Sequence, residues 1–169
     1  MKRLIFRILA IVALASAADS CGIYSFTGTS IQPDVKSVTL NYFEYKALRV
    51  NPTLSNQLTE EVREKFRRMT RLEQVDVDGD IEIEGQITGY DVKSMGITAN
   101  EVASQNRLTV SVKIKFTNRK YPEEDFEKSF SAYADYPSTD PLDAVEGDLC
   151  DKIVEQLSED IMNATIANW

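Results

Sequence analysis

Arg107-Leu108-Thr109-Val110-Ser111-Val112-Lys113-Ile114-Lys115-Phe116-Thr117 alternates without a break. Leu108, Val110, Val112, Ile114 and Phe116 are apolar, and the residues between and around them are polar. A period of two over this length is a β-strand with one buried and one wet face. Fully burying each of the apolar side chains contributes roughly 1.5–3 kcal/mol. A one-residue slip would expose all of them, so the register is firm. A strand wet on one side belongs to a sheet covered on one face only.

The neighbouring segments supply that sheet and its cover. On the C-terminal side, Asn118 to Glu123 is a turn containing Pro122, and Phe126 to Ala134 is a strand with Phe126 and Phe130 on one face. Ser138-Thr139-Asp140-Pro141 then opens a helix, with a capping residue before Pro. Leu142, Val145, Leu149, Ile153, Leu157 and Ile161 form its apolar stripe. On the N-terminal side, Ser94 to Ser104 is a hairpin loop. Before it, Ile81, Ile83, Gly85, Ile87 and Gly89 alternate with Glu82, Glu84, Gln86, Thr88 and Tyr90, a second half-wet strand. Asp78-Gly79 marks the turn leading into it. Further back, Leu54, Leu58, Val62, Phe66 and Met69 line one face of a helix over 52–71, capped by Asn51 with Pro52 at its first position. Val35 to Tyr45, rich in β-branched and aromatic residues, is the first strand.

The order β-α-β-β-β-α predicts an α+β fold. Its sheet is four-stranded and mixed, mostly antiparallel, with two helices packed on one face. The first helix is a crossover, so the first strand runs parallel to a neighbour. The later strands form an antiparallel meander.

Composition narrows the chemistry. The 169 residues include 19 Lys and Arg, 27 Asp and Glu, and no His, for a net charge of −8. Without His there is no Ser-His-Asp triad, Cys-His dyad or His-ligated metal. Two Cys do not make a Cys-only zinc site. The acid excess opposes general nucleic-acid binding. Asp76, Asp78 and Asp80 alternate as in a calcium loop, but the closing Glu of an EF-hand is missing. No glycine-rich phosphate loop is present. Neither a metal nor a cofactor is expected.

The N-terminus carries a leader. Lys2, Arg3 and Arg7 precede an apolar run from Ile8 to Ala18, which has the shape of a secretory signal and is too short to span a bilayer. Ala15-Ser16-Ala17-Ala18-Asp19-Ser20-Cys21 resembles a bacterial lipobox, with Cys21 as the lipidated first residue of the mature chain. Ala18 and Asp19 depart from the usual residues at their positions. The other reading is an ordinary cut after Ala15-Ser16-Ala17, which leaves Cys21 a plain thiol. Residues 1–20 hold three basic residues and one acid, so their removal takes the net charge from −8 to −10. On the lipobox reading the chain is expected to divide into a lipoprotein signal peptide (1–20), a lipidated tether (21–34) and an α+β domain (35–169).

Two basic groups stand out. Arg63, Lys65, Arg67, Arg68 and Arg71 lie late in the first helix, where the macrodipole favours cations and Glu60, Glu61 and Glu64 can pair with them. Arg107, Lys113 and Lys115 form a stripe on the wet strand face, which Arg119 and Lys120 extend into the turn. Such a stripe is either a solvated face or a local contact for anionic groups such as lipid phosphates. Cys150, next to Leu149, reads as a buried structural thiol.

Several segments resemble the LptE family of lipopolysaccharide-assembly lipoproteins, in a divergent branch. They are Cys21-Gly22-Ile23-Tyr24-Ser25-Phe26-Thr27-Gly28, the run from Arg49 to Leu54 with Leu58 to Arg63, Gly85-Gln86-Ile87-Thr88-Gly89-Tyr90, and the closing Asn163 to Trp169. The resemblance implies a non-enzymatic lipoprotein, held by acyl chains on Cys21 at the periplasmic face of the outer membrane. It would plug the β-barrel protein that delivers lipopolysaccharide to the outer leaflet, and assist that barrel's assembly. Direct lipopolysaccharide binding is a further expectation, with Arg107, Lys113, Lys115, Arg119 and Lys120 as candidate contacts. The alternative is a lipid-anchored binding module of another envelope complex, with no lipopolysaccharide role.

Overall fold

The computed structural model describes residues 31–96 and 104–166. In chain order the elements are β1 (Ser37–Leu40), β2 (Glu44–Tyr45), α1 (Leu54–Met69), β3 (Glu73–Gln74), β4 (Ile81–Met95), β5 (Gln105–Asn118), a 3-10 turn (Pro122–Glu124), β6 (Phe126–Pro137) and α2 (Leu142–Thr165). The strands form one mixed sheet in the order β3-β1-β4-β5-β6, with β2 also paired to β4. β1 runs parallel to β3 and β4, and β2 parallel to β4. The long strands β4, β5 and β6 are an antiparallel meander. The α+β class and the mixed, one-sided sheet are as the sequence predicts.

The strand count is six rather than four. The run from Val35 to Tyr45 divides because Phe43 leaves the sheet edge for the core. Its ring lies directly over Gly85, where an added Cβ would sit 2.6 Å from ring carbons. The Phe43 backbone N–H donates to Thr59 Oγ1 on α1 at 3.1 Å, which replaces its lost ladder bond. Glu73-Gln74 adds a two-residue pairing with β1 after α1, too short to leave a periodic signal.

β5 matches its sequence pattern: Leu108, Val110, Val112, Ile114 and Phe116 are all buried. β4 follows its own pattern only to Ile87. Ile87 pairs with Val112 but Gly89 pairs with Ser111, so Thr88 is an extra residue, a β-bulge. Beyond it the alternation is inverted. Tyr90, expected on the polar face, is only 3% exposed. β4 and β5 also extend further than expected, to Met95 and from Gln105, which shortens the connecting loop.

α1 buries Leu54, Leu58, Val62 and Phe66, whereas Met69 is exposed. The helix begins two residues later than expected, with Thr53 rather than Pro52 leading into it, but Asn51 still caps its start: its Oδ1 accepts the backbone N–H groups of Thr53 and Leu54, each at 3.1 Å. α2 buries Leu149, Ile153, Leu157 and Ile161. Its expected cap is not formed, because no side chain bonds to its first turn and Asp140 instead accepts from the Thr139 hydroxyl. The buried faces of both helices and of the sheet merge into one core cluster. The other face of the sheet has no layer on it among the described residues, and β6 closes one side of the sheet with an unpaired edge.

Candidate functional site

The sheet face opposite the helices carries the basic stripe, and the register shows what surrounds each cation. Arg107 stands opposite Asp135 and binds it through two bonds, Nε to Oδ1 at 2.7 Å and NH2 to Oδ2 at 2.8 Å. The same guanidinium lies 3.7 Å from the centroid of the Tyr133 ring. Lys115 stands opposite Glu84 on β4 and binds it at 2.6 Å. Lys113 reaches Glu127 on β6 at 2.6 Å. In the turn beyond β5, Arg119 bridges Asp78 at 2.7 Å and Glu82 at 3.1 Å, and Lys120 binds Asp80 at 3.1 Å.

All five candidate cations are therefore ion-paired. The aspartates that alternate in the β3–β4 turn serve this pairing: Asp78 and Asp80 hold Arg119 and Lys120. Asp78 adopts a positive φ of 58°, which Asp tolerates in a tight turn. Two of the cations form a local pair, since Lys113 and Lys115 are about 7 Å apart along the strand. Arg107 is about 20 Å from Lys113 by the same spacing, so the five do not converge on one ligand.

The electrostatics reinforce the charged forms. Hydrogen bonding to Asp135 raises the Arg107 pKa, and the same bond lowers that of Asp135. Bonding to Glu84 raises Lys115, and bonding to Asp78 and Glu82 raises Arg119. Arg119 and then Asn41 lower Glu82. None of these shifts poises a group for proton transfer near neutral pH. Among the described residues no cluster of three or more Cys, Asp or Glu is arranged to hold a metal. The face is suited to reversible, non-covalent contact.

The basic residues of α1 have partners too. Arg63 binds Glu60 and Arg67 binds Glu64, both at i,i+3. Lys65 is buried between the helices, its amine 3.3 Å from Glu159 and 3.4 Å from the Glu155 carbonyl. Cys21, the candidate lipid-attachment residue, lies outside the described residues, as does most of the β4–β5 loop.

The sequence reading missed one polar cluster. Tyr90, turned inward by the bulge, donates from its hydroxyl to Glu146 on α2. Asn51 Nδ2 donates to the same carboxylate oxygen at 3.4 Å and to Cys150 Sγ at 3.7 Å. Burial, then the bond to Glu146, pushes the Tyr90 phenol far above its ordinary value, and burial raises the Cys150 thiol. The cluster ties the N-terminus of α1 to α2 and β4. Gly85 and Gly89 read as a continuing alternation, so the sequence held no sign of the bulge that forms it.

Fold and surface together define a class: a two-layer α+β domain with helices on one sheet face and a polar, ion-paired surface on the other. A model of the LptE family, described as lipopolysaccharide-assembly, matches residues 35–165, and the chain belongs to that family. No curated protein matches the sequence. The chain is also similar to solved structures at low identity. A hypothetical protein from Chlamydia trachomatis is 8% identical with a TM-score of 0.52, the match covering 79% of this chain and 99% of that one. A minor lipoprotein from Acinetobacter baumannii is 11% identical over 72% of this chain and 91% of its own, with a TM-score of 0.46. The rare lipoprotein B of Shewanella oneidensis is 17% identical over 73% of this chain and 92% of its own, with a TM-score of 0.45. Among the described residues no helix is long and apolar enough to cross a membrane.

Proposed function

We infer that the chain is the lipoprotein subunit of the outer-membrane barrel that delivers lipopolysaccharide to the outer leaflet. Acyl chains on Cys21 hold it at the periplasmic face, and the domain plugs the barrel and assists its assembly without catalysing a reaction. The observation that carries this reading is the family match over residues 35–165, which takes in both helices and every strand. The polar sheet face opposite the helices, uncovered among the described residues, supports it, because a plug needs a polar surface that stays soluble until it docks.

Lipopolysaccharide contact falls to Lys113 and Lys115, with Arg107, Arg119 and Lys120 in support. Each already holds a carboxylate. A lipid phosphate must therefore exchange with Glu127 or Glu84, which exposed pairs worth about 0–1 kcal/mol permit.

A membrane pull-down of the tagged full-length protein from its native host, read by mass spectrometry, tests the assignment. The expected result is an export barrel in near-equal amount. Recovery with an unrelated envelope complex rejects it. For the lipid contact, Lys113→Glu with Lys115→Glu should weaken lipopolysaccharide binding while leaving the unfolding temperature within a few degrees. Unchanged binding would remove these residues from the site.

A further inference from the structure

The β2–α1 connection holds two apolar side chains in open water. Leu48 is 103% exposed and Val50 75%. Among the described residues Arg49, between them, has no carboxylate within salt-bridge distance, unlike the cations of the sheet face. Single exposed apolar residues are ordinary on protein surfaces. Here two of them flank an unpaired cation on a loop that is braced.

Each end of the loop is fixed. The Lys46 N–H donates to the Ile87 carbonyl at 2.8 Å. The Tyr45 hydroxyl donates to the Arg49 carbonyl at 2.5 Å and accepts the Asn51 N–H at 3.2 Å. Asn51 in turn caps α1 and bonds to Glu146 and Cys150 on α2. The tip is thus ordered before it meets anything, and binding through it loses little conformational entropy.

We propose that Leu48-Arg49-Val50 is a docking tip that inserts into an apolar, acid-rimmed pocket on the barrel protein. This rests on the proposed function above and names the surface through which the subunit is held. Two observations favour a protein over a lipid surface as the occupant. The chain carries a net charge of −8, which an anionic leaflet repels. The tip also stands away from the end where the N-terminal segment enters the domain. Ile31 lines a pocket together with Ile81 and Phe116, whereas Tyr45 pairs with Ile87, about 20 Å along β4. Arg49 supplies the charge complementarity: a carboxylate at the pocket rim satisfies it with a paired hydrogen bond.

The test places a photo-crosslinking residue at position 48 of the full-length chain in its native host. In parallel, Leu48→Asp with Val50→Asp is compared with wild type in the membrane pull-down. The expected results are a crosslink from position 48 to the barrel, and a drop of about tenfold or more in barrel recovered with the double variant. Both substituted side chains are exposed, so the unfolding temperature of the double variant stays near wild type, and Arg49→Glu weakens recovery in the same direction. If wild type brings down the barrel and the double variant does so equally, the tip is not the docking surface and the proposed function stands. If wild type brings down no barrel, both fall. A crosslink to phospholipid in place of protein overturns the tip proposal alone.

Discussion

Gly85 is where a single methyl group tests the core. The Phe43 ring covers its Cα so closely that a Cβ would lie 2.6–2.7 Å from three ring carbons, and the ring is fully buried with no room to retreat. Gly85→Ala should therefore destabilise the domain by about 1–3 kcal/mol, seen as a fall of several degrees in Tm. Asp80 sets a pH dependence. Its Oδ2 accepts the backbone N–H groups of Lys36 at 2.7 Å and Ser37 at 3.2 Å. The Lys36 bond is the main cause of its lowered pKa, followed by Lys120 among the favourable contacts. A carboxylate held below its unfolded value contributes stability that is fully present above that value, near 4, and is lost as pH falls through the lower folded value. Asp80→Asn should thus cost stability at pH 7, and the gap to wild type should close in acid. A constant gap in a pH series of denaturant melts would assign the loss to something other than charge.

At the scale of elements, the connection between β2 and α1 depends on Asn51, which caps one helix and bonds to the other. Asn51→Ala should cost about 1–2 kcal/mol, and hydrogen exchange should quicken at the amides of Thr53 and Leu54. How much of the architecture is legible in the sequence also divides by element. β5 is read correctly because its two faces differ at every position, and the stripe of α2 repeats over enough turns to identify the helix. β4 is misread after Ile87, because a bulge adds a residue without changing the look of the pattern. β3 pairs only two residues with β1, and its pairing depends on where α1 delivers the chain. The candidate cations could be named from the sequence but their partners could not. Glu84 meets Lys115 only because β4 and β5 pair in one particular register, which juxtaposes residues 31 apart in the chain.

For the whole molecule, the proposed lipid attachment makes a prediction separate from the fold. If Cys21 is the acylated residue, Cys21→Ser should move the protein from the membrane fraction to the soluble periplasmic one while its melting curve is unchanged. Retention in the membrane by the Ser variant would transfer the anchoring role to protein contacts. The two sides of the domain also differ in charge. The groove between the helices is lined by Glu60, Glu61, Glu64, Asp151, Glu155 and Glu159, with fewer cations than acids. On the sheet face each candidate cation sits within about 3 Å of its acid. Opposite charges that close present a dipole, whose field dies away faster than that of a net charge and is screened further within a Debye length of about 8 Å. A partner approaching the sheet face feels almost no pull until it touches, whereas one approaching the helices meets a long-range acidic field. Encounters at the sheet face are therefore steered little by its paired charges, so what docks there is selected by shape and by time spent in contact, not by attraction from a distance.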